Sequence, residues 1–334
     1  MKKILKKLIL IAISIIGGIL AFVIVAWGVL SIAKYPIYWD YYEMKSNVCE
    51  NPGLNDGFVC QGICAYEEDG KFFVSGYMKD GSASRIYVTD VEDNSYYVTL
   101  KKANGDDFTG HAGGIAVAND TVYIANGGKV HSVSLIDLLN AEDGGTVSIS
   151  DSFAVNNEAS FIYADDDYVY VGEFHDGGKY VTEHPYLTEE GQNYAIVSRY
   201  PKGEFIAYDN DDGEAYAPAP DRVYSIRDKV QGICFTPNGE VVMSTSYGLS
   251  DSVYYIYSES EATDSGYTLD GAPVYFFDKC VKEFTGPAMA EGLDYYDGKV
   301  ITLTESASDK YIFGKFFFAT KIVALDIREK LTSI

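Results

Sequence analysis

Beyond residue 57, apolar and polar residues alternate over short stretches that are separated by turns rich in Asp, Asn and Gly. Alternation over about 4–8 residues is typical of half-buried β-strands, and turns of this composition supply the positive φ angles of tight hairpins. A helical pattern is nearly absent past residue 45, where only IDLLNAED and the extreme C-terminus fit a turn or two. With 29 tyrosines and abundant Val, Ile and Phe, this part of the chain is predicted to be all-β.

One strand–turn–strand motif occurs five times. Each copy has a small-residue start, an apolar run, a turn of Asp, Asn or Gly, and a second β-rich run. The copies are QGICAYEEDGKFFVSG, HAGGIAVANDTVYIANGG, EASFIYADDDYVYVGEFH, QGICFTPNGEVVMSTSYG and EGLDYYDGKVITLTESAS. Anchored on Gly62, Gly114, Ala159, Gly232 and Gly292, they are spaced by 52, 45, 73 and 60 residues. Most copies precede a third and a fourth run of β character.

Four-stranded repeats of about 40–50 residues predict the blades of a β-propeller. Each blade has two apolar faces that only neighbouring blades bury, and closure of the ring protects the strand edges. We therefore predict an all-β fold, a five- or six-bladed β-propeller; the 73-residue interval leaves room for a sixth blade. The last copy lacks a fourth strand, which residues near 54–60 are expected to supply. A β-sandwich is the rival, but quasi-regular spacing favours radial repetition.

The predicted inner strands open with a polar residue followed by a small and an apolar one. Three copies have this start: Gln61-Gly62-Ile63, Gln231-Gly232-Ile233 and Glu291-Gly292-Leu293. In this pattern, residues 58–328 resemble bacterial propellers of the broad NHL and gluconolactonase/paraoxonase-like type. The resemblance implies a divalent ion in the central channel, held by carboxylate and amide ligands. Those ligand sets favour Asn and Asp, whereas this chain offers Gln and Glu, and a shared fold does not assign an activity.

Because the innermost strands of a propeller line its channel, the polar residues that start the five copies are expected to converge near one mouth. With His175, they form the predicted channel-lining and ligand-binding set: Gln61, His111, Glu158, Gln231, Glu291 and His175. One interpretation is a structural ring that is hydrogen-bonded to water and neighbouring strands. The other is a cation site with Glu158, Glu291 and His111 as metal ligands, because Glu and Gln oxygens suit Ca²⁺ and a Glu–His set suits a transition metal.

The ends of the second strands are a further candidate surface around the same mouth. Polar residues such as Asn126, Ser246 and Glu305 stand there. Around His175, three tyrosines are candidates for a shelf that binds a glycan or a peptide: Tyr77, Tyr180 and Tyr247.

The N-terminus has a different pattern. Residues 8–33 form an uncharged run of 26 residues that follows a basic tail, residues 1–7. About 20 apolar residues cross a bilayer, which predicts an uncleaved transmembrane anchor. A cleavable signal peptide is the rival, although its apolar region usually has only about 7–15 residues. The basic tail predicts a cytoplasmic N-terminus and an extracytoplasmic propeller at the plasma membrane. Residues 34–57 are predicted to be a juxtamembrane linker, and residues 58–334 the propeller domain. An aromatic belt is expected where the chain leaves the membrane, made of Trp27, Tyr35, Tyr38, Trp39, Tyr41 and Tyr42.

Charge limits the partners of the predicted domain. Residues 1–34 hold five of the 26 basic residues and none of the 49 acidic ones, so the remainder carries a net charge of −28. A field of this sign repels nucleic acid and anionic surfaces. The five cysteines do not suggest a disulfide framework. A single disulfide between Cys49 and Cys60 remains an alternative.

Sequence signatures of catalysis are missing: HExxH, a P-loop and GxSxG do not occur. Architecture and location therefore predict a membrane-anchored binding module for a peptide, a glycan or an envelope component. The alternative is a metal-dependent, Ca²⁺-type lactonase-like hydrolase with its site at the channel mouth.

Overall fold

The computed structural model describes residues 2–209, 215–317 and 319–331. It begins with a 33-residue helix, α1 (Lys2–Lys34), and a short helix, α2 (Trp39–Met44). The apolar side chains of α1 are exposed, and among the described residues it is the one helix long and apolar enough to cross a membrane. The predicted span, residues 8–33, lies within it. A first strand, β1 (Lys45–Glu50), follows.

The strands after β1 form antiparallel meanders of four strands. Meander 1 consists of β2 (Phe58–Tyr66), β3 (Lys71–Met78), β4 (Arg85–Asp90) and β5 (Ser95–Lys101). Meander 2 consists of β6 (Gly114–Ala118), β7 (Thr121–Asn126), β8 (Lys129–Ser134) and β9 (Gly145–Ala154), with the helix α3 (Leu135–Asn140) before β9. The outermost strands β5 and β9 pair in parallel, which joins the two meanders.

Meander 3 contains the long interval of the sequence. Its first two strands are β10 (Ala159–Ala164) and β11 (Tyr168–Glu173). Before and after its third strand, β14 (Ala195–Pro201), lie two small hairpins: β12 (Tyr186–Thr188) with β13 (Gly191–Asn193), and β15 (Tyr208–Asp209) with β16 (Ala215–Tyr216). Its fourth strand is β17 (Arg222–Ile226). The extra length therefore forms hairpins rather than another meander in the described residues.

Meander 4 consists of β18 (Val230–Phe235), β19 (Glu240–Thr245), β20 (Ser252–Ser258) and β23 (Lys282–Gly286). The hairpin of β21 (Thr263–Leu269) and β22 (Ala272–Phe276) precedes β23 and pairs with β17. Meander 5 consists of β24 (Ala290–Tyr296), β25 (Lys299–Thr304), β26 (Lys321–Leu325) and β1. The helix α4 (Arg328–Leu331) ends the described chain.

The fourth strand of meander 5 comes from the N-terminal side of the domain, as predicted, but from other residues. The strand is Lys45–Glu50, which pairs with β26, whereas residues 51–57 form turns. The sequence pattern did not identify β1 because this outer strand keeps most of its side chains at least partly exposed and so lacks a clear alternation. The predicted linker, residues 34–57, thus contributes a helix and a strand to the folded domain.

The first strands of the meanders lie side by side around one axis, and the glycines of the repeated motif permit their close approach. A Cβ atom added at Gly62 would lie 2.7 Å from the Cα of Gly114, and one at Gly292 would lie 3.0 Å from the Cα of Gly62. Gly232 faces Gly292 in the same way, at 2.9 Å. Gly62, Gly232 and Gly292 are therefore packing requirements of a propeller-like ring.

Alternating side chains of each strand fill the layers between neighbouring meanders. In β3, Phe73 packs into the layer shared with Ile115 of meander 2, whereas Phe72 points to the other side, into the layer shared with Leu303 of meander 5. Both faces are apolar because both are covered, which explains the nearly continuous apolar runs in the sequence. The fold is all-β and propeller-like.

The chain between α1 and β1 is packed against meanders 4 and 5. Tyr38 and Tyr41 are each only 2% exposed, and both belong to the core. The ring of Tyr41 stacks on Tyr254, with 6.3 Å between their centroids. Two of the residues expected in an aromatic belt are therefore buried in the domain, while Tyr35 and Trp39 remain exposed.

Candidate functional site

A cavity of about 720 Å³ opens at one end of the ring axis. It lies where the first strand of each meander begins and the second strand ends, and all five meanders contribute to its wall. Five of the six predicted residues line it: Gln61, His111, Glu158, Gln231 and Glu291. Among these five, the ring brings together residues as far apart in the chain as Gln61 and Glu291.

The sixth predicted residue, His175, is buried behind the wall of the cavity. Its Nδ1 accepts a 3.1 Å hydrogen bond from the backbone N–H of Thr182, a residue that does line the cavity. Its ring stacks on Tyr194 with 4.8 Å between the centroids. Through these contacts His175 holds loop 174–185 in place. The three tyrosines of the expected shelf, Tyr77, Tyr180 and Tyr247, all line the cavity itself.

Irregular pairing between first and second strands turns three of the predicted side chains toward the axis. The register shifts at Gln61 in meander 1, at Gln231 in meander 4 and at Glu291 in meander 5. Such bulges re-aim a side chain and are common near functional sites. In meander 3 the register shift occurs at Ser160. Ser160, rather than Glu158, is therefore the structural equivalent of Gln61 in meander 1. Glu158 stands two residues earlier, on the exposed edge of the cavity.

Two carboxyl groups of meander 5 dominate the electrostatics of the cavity. Glu291 is 3% exposed, and its carboxyl has no hydrogen-bond partner among the described residues. Burial, with a contribution from the charge of Glu305, raises the pKa of Glu291 well above its usual range. Burial also raises the pKa of Glu305 to about 7, although hydrogen bonds from Tyr311 and Gln61 and the charge of Lys310 oppose this shift.

An aromatic and cationic group faces these carboxyls. The ring of His111 stacks on Tyr77 with 4.5 Å between the centroids. The Nζ of Lys310 lies 4.6 Å from the centroid of Tyr77 and 5.0 Å from that of Tyr311. Although part of His111 contacts solvent, the enclosing walls and the nearby Lys310 and Lys179 lower its pKa to about 4. At neutral pH this imidazole is uncharged.

The described residues contain no group of three or more His, Cys, Asp or Glu side chains placed to hold a metal ion. The three predicted ligands, Glu158, Glu291 and His111, line one cavity without forming such a group. Glu291 is on the axis, Glu158 is on the rim, and His111 is stacked against Tyr77. In the part of the chain that the structure describes, these three residues therefore do not form a site of His, Cys, Asp or Glu ligands.

Three cavity residues were not identified from the sequence. Ser160 takes the place assigned to Glu158, and only the register of β10 and β11 reveals this. Lys310 and Tyr311 lie in the loop between β25 and β26, beyond the end of the fifth copy of the repeat. Glu305 was identifiable, because it directly follows the second strand of the fifth copy.

No protein-family profile and no curated protein sequence matches the chain. Among solved structures, it resembles the PQQ-bound aldose sugar dehydrogenase of Streptomyces coelicolor, with 16% identity, a TM-score of 0.41, and 78% and 76% of the two chains covered. It also resembles a luciferin-regenerating enzyme, with 10% identity, a TM-score of 0.42, and coverage of 83% and 94%. A gluconolactonase of Xanthomonas campestris has 13% identity and a TM-score of 0.37, with 76% of each chain covered.

The propeller-like fold that the resemblance implied is confirmed by the structure itself. The strand order and the pairing of the meanders carry this conclusion, because identities and TM-scores this low do not assign an activity or a ligand.

Proposed function

We propose that this protein is a five-bladed β-propeller that α1 anchors in the plasma membrane and that binds a glycan in its axial cavity outside the cell. The five meanders are the five blades. The single observation that carries the binding role is the lining of the cavity, which combines aromatic rings with amide and carboxyl groups.

This lining suits a polyhydroxylated ligand. Ligand cavities combine apolar or aromatic surface with a few polar groups that fix orientation, and about 720 Å³ is within the usual size range. The tyrosines offer flat faces to the C–H side of a sugar ring. Gln231, Asn126 and Glu158 offer amide and carboxylate groups that donate to or accept from hydroxyl groups.

The unpartnered carboxyl of Glu291 strengthens this argument. A carboxyl in the cavity wall that no described side chain pairs with is available to a ligand hydroxyl in hydrogen-bond reach. Because its pKa is raised, Glu291 takes up a proton more readily than an ordinary carboxyl does, and the protonated group both donates and accepts hydrogen bonds without adding charge. A neutral sugar satisfies it more readily than an anion does.

The anchor is supported by the length and composition of α1. Its uncharged run of 26 residues exceeds the roughly 20 that cross a bilayer, and four lysines precede it. The positive-inside rule then puts the propeller on the outer side of the plasma membrane.

The test is calorimetric titration of the detergent-solubilised full chain with a panel of hexasaccharides built from glucose, galactose or N-acetylglucosamine. At least one member is expected to bind, and Tyr247→Ala and Glu291→Gln are each expected to weaken that binding by about tenfold or more. Tyr267→Ala is the matched control, since Tyr267 is an exposed tyrosine of β21 outside the cavity. Failure of every saccharide to bind, or equal losses in all three variants, would overturn the proposal.

A second candidate is a lactonase-like hydrolase, which the pair Glu291 and Glu305 favours. Two carboxyls with unequal raised pKa values can divide the roles of acid and base. Ionised Glu305 would take a proton from water as the oxygen adds to the lactone carbonyl, and protonated Glu291 would give its proton to the ring oxygen as the C–O bond breaks. Hydrolysis of δ-gluconolactone that persists in EDTA and is lost in Glu305→Gln would favour this candidate. Unchanged background hydrolysis with the wild-type protein would contradict it.

A further inference from the structure

The end of α1 is bound to a loop that begins at the rim of the cavity. The Nζ of Lys34 lies 2.5 Å from the carboxylate of Asp251, and the hydroxyl of Tyr38 donates a 2.6 Å hydrogen bond to the same carboxylate. Asp251 belongs to loop 246–251, whose first three residues line the cavity. α1 also contacts the short 3₁₀ helix Gly314–Phe317, which lies in loop 305–317 beside the cavity residues Lys310 and Tyr311.

No flexible linker separates the apolar run of α1 from this rim. The uncharged run ends at Ala33, and the next residue is already bonded to the domain. A helical run of 26 residues is about 39 Å long at about 1.5 Å per residue, longer than a hydrocarbon core of about 30 Å. If α1 crosses the membrane, the rim at Asp251 is therefore adjacent to the membrane surface.

Three loops on this side of the ring expose large apolar side chains. We name loops 174–185, 246–251 and 305–317 the rim loops; each follows the second strand of a meander, the end at which the cavity opens. Six of their apolar or aromatic side chains are between 42% and 75% exposed: Tyr180, Val181, Tyr247, Leu249, Ile312 and Phe313. Apolar and aromatic side chains concentrated on one face of a water-soluble domain mark an interaction surface, and tyrosines are favoured at the membrane interface.

We propose that the rim loops rest on the outer surface of the membrane that α1 crosses, and that the cavity binds the polyhydroxylated headgroup of a lipid in that membrane. This inference rests on the proposed function, and it specifies the source of the glycan. The bilayer is the occupant of the rim surface because the same chain that enters the bilayer is tied to that surface through Lys34 and Asp251.

The opposite end of the ring supplies a matched control. Val91 follows β4 and is 46% exposed. It lies at the far end of meander 1, because Asp90 pairs with Lys71 at the start of β3, whereas Tyr77 near the end of β3 lines the cavity. Phe313 and Val91 thus mark the two ends of the domain.

The experiment uses the full chain in phosphatidylcholine nanodiscs with both native tryptophans, Trp27 and Trp39, replaced by phenylalanine. Tryptophan introduced as Phe313→Trp is expected to be quenched by brominated lipids, whereas tryptophan introduced as Val91→Trp is expected to keep its fluorescence. Ile312→Trp replaces Phe313→Trp if the latter does not fold. Absence of quenching at the rim, or equal quenching at both ends, would overturn the membrane-facing orientation.

The source of the ligand is tested separately, by hydrogen exchange of residues 246–251 in the same nanodiscs. Incorporated diglucosyl-diacylglycerol is expected to slow exchange severalfold, and the free disaccharide at the same total concentration is expected to have a smaller effect. If only the free sugar slowed exchange, glycan binding in the cavity would still be supported, but the lipid-headgroup assignment would be overturned. No change with either probe would overturn the lipid-headgroup assignment, whereas the hexasaccharide titrations judge glycan binding independently.

Discussion

The side-chain amide of Gln61 donates a 2.8 Å hydrogen bond from Nε2 to Oε2 of Glu305, a residue 244 positions further along the chain. This bond crosses from the first meander to the fifth, which are neighbours in the ring. It links the amide of one bulged strand to the carboxyl that titrates near neutral pH. The electrostatics of the cavity therefore depend on closure of the ring.

Removal of the Gln61 amide is expected to raise the pKa of Glu305. A hydrogen bond donated to a carboxylate favours its charged form, so Gln61→Ala should move the pKa of Glu305 from about 7 to a higher value, by about one unit. Carbon-13 NMR of labelled glutamate carboxyls measures the shift. Gln231→Ala is the control, since that amide donates to Ser246 and not to a carboxyl. An unchanged titration of Glu305 would contradict the coupling.

Glu291 is expected to make the folded state less stable as the pH rises. Its folded pKa is raised above the usual value of 4.5, so its contribution to the free energy of unfolding is fully present below about pH 4.5 and declines toward the folded pKa. Glu291→Gln removes this penalty and should be more stable than wild type at pH 8, by a difference that shrinks as the pH falls toward 4.5.

Denaturant unfolding of the detergent-solubilised full chain at several pH values measures this difference. Glu158→Gln serves as the control, because Glu158 is exposed on the rim of the cavity. A stability difference for Glu291→Gln that does not grow with pH would show that the carboxyl is not buried as described.

The glycine of the first copy is expected to tolerate no side chain. The methyl group of Gly62→Ala would lie 2.7 Å from the backbone of Gly114 and of Ile115, so the inner strands must separate. Such overpacking costs about 1–3 kcal/mol or more. Gly203→Ala is the control, since an added Cβ there meets nothing within 4 Å. Equal thermal unfolding midpoints for the two variants would contradict the close approach of the strands.

The carboxylate of Asp251 is expected to hold the segment between α1 and β1 in place. Asp251→Ala removes the partner of both Lys34 and Tyr38, so amide hydrogen exchange in residues 34–44 should become about tenfold faster. Asp107→Ala is the control: Asp107 pairs with Lys101 at the same 2.5 Å, but its side chain is 52% exposed, and such pairs contribute little. Equal exchange in both variants would show that the junction is held by other contacts.

Much of the fold was predictable because the determinants are local. Alternating apolar residues and Gly-containing turns marked the inner hairpins, and the repeated small residue marked the place where inner strands meet, as Gly62 does with Gly114. The convergence of Gln61, Gln231 and Glu291 followed from their equivalent places in the repeat. β1 was not identified, because an outer strand with exposed side chains has no strong local pattern.

Other features required the tertiary structure. His175 lies in a promising stretch of sequence, yet a contact with the backbone of Thr182 places it behind the cavity wall. The register shift at Ser160 moved Glu158 to the rim. Glu291 and Glu305 share one cavity, and burial there raises the pKa of both carboxyls. The linear sequence pattern shows neither of these facts.

The sequence by itself determined the all-β repeat, the apolar N-terminal helix and the acidic character of the remaining chain, because these depend on neighbouring residues and on composition. Only the tertiary structure decided which polar groups meet, how deeply they are buried, and that α1 ends at the rim of the cavity. The physical reason is that hydrogen bonding, desolvation and charge coupling act over a few ångströms in space, and closure of the ring determines which distant residues come within that range.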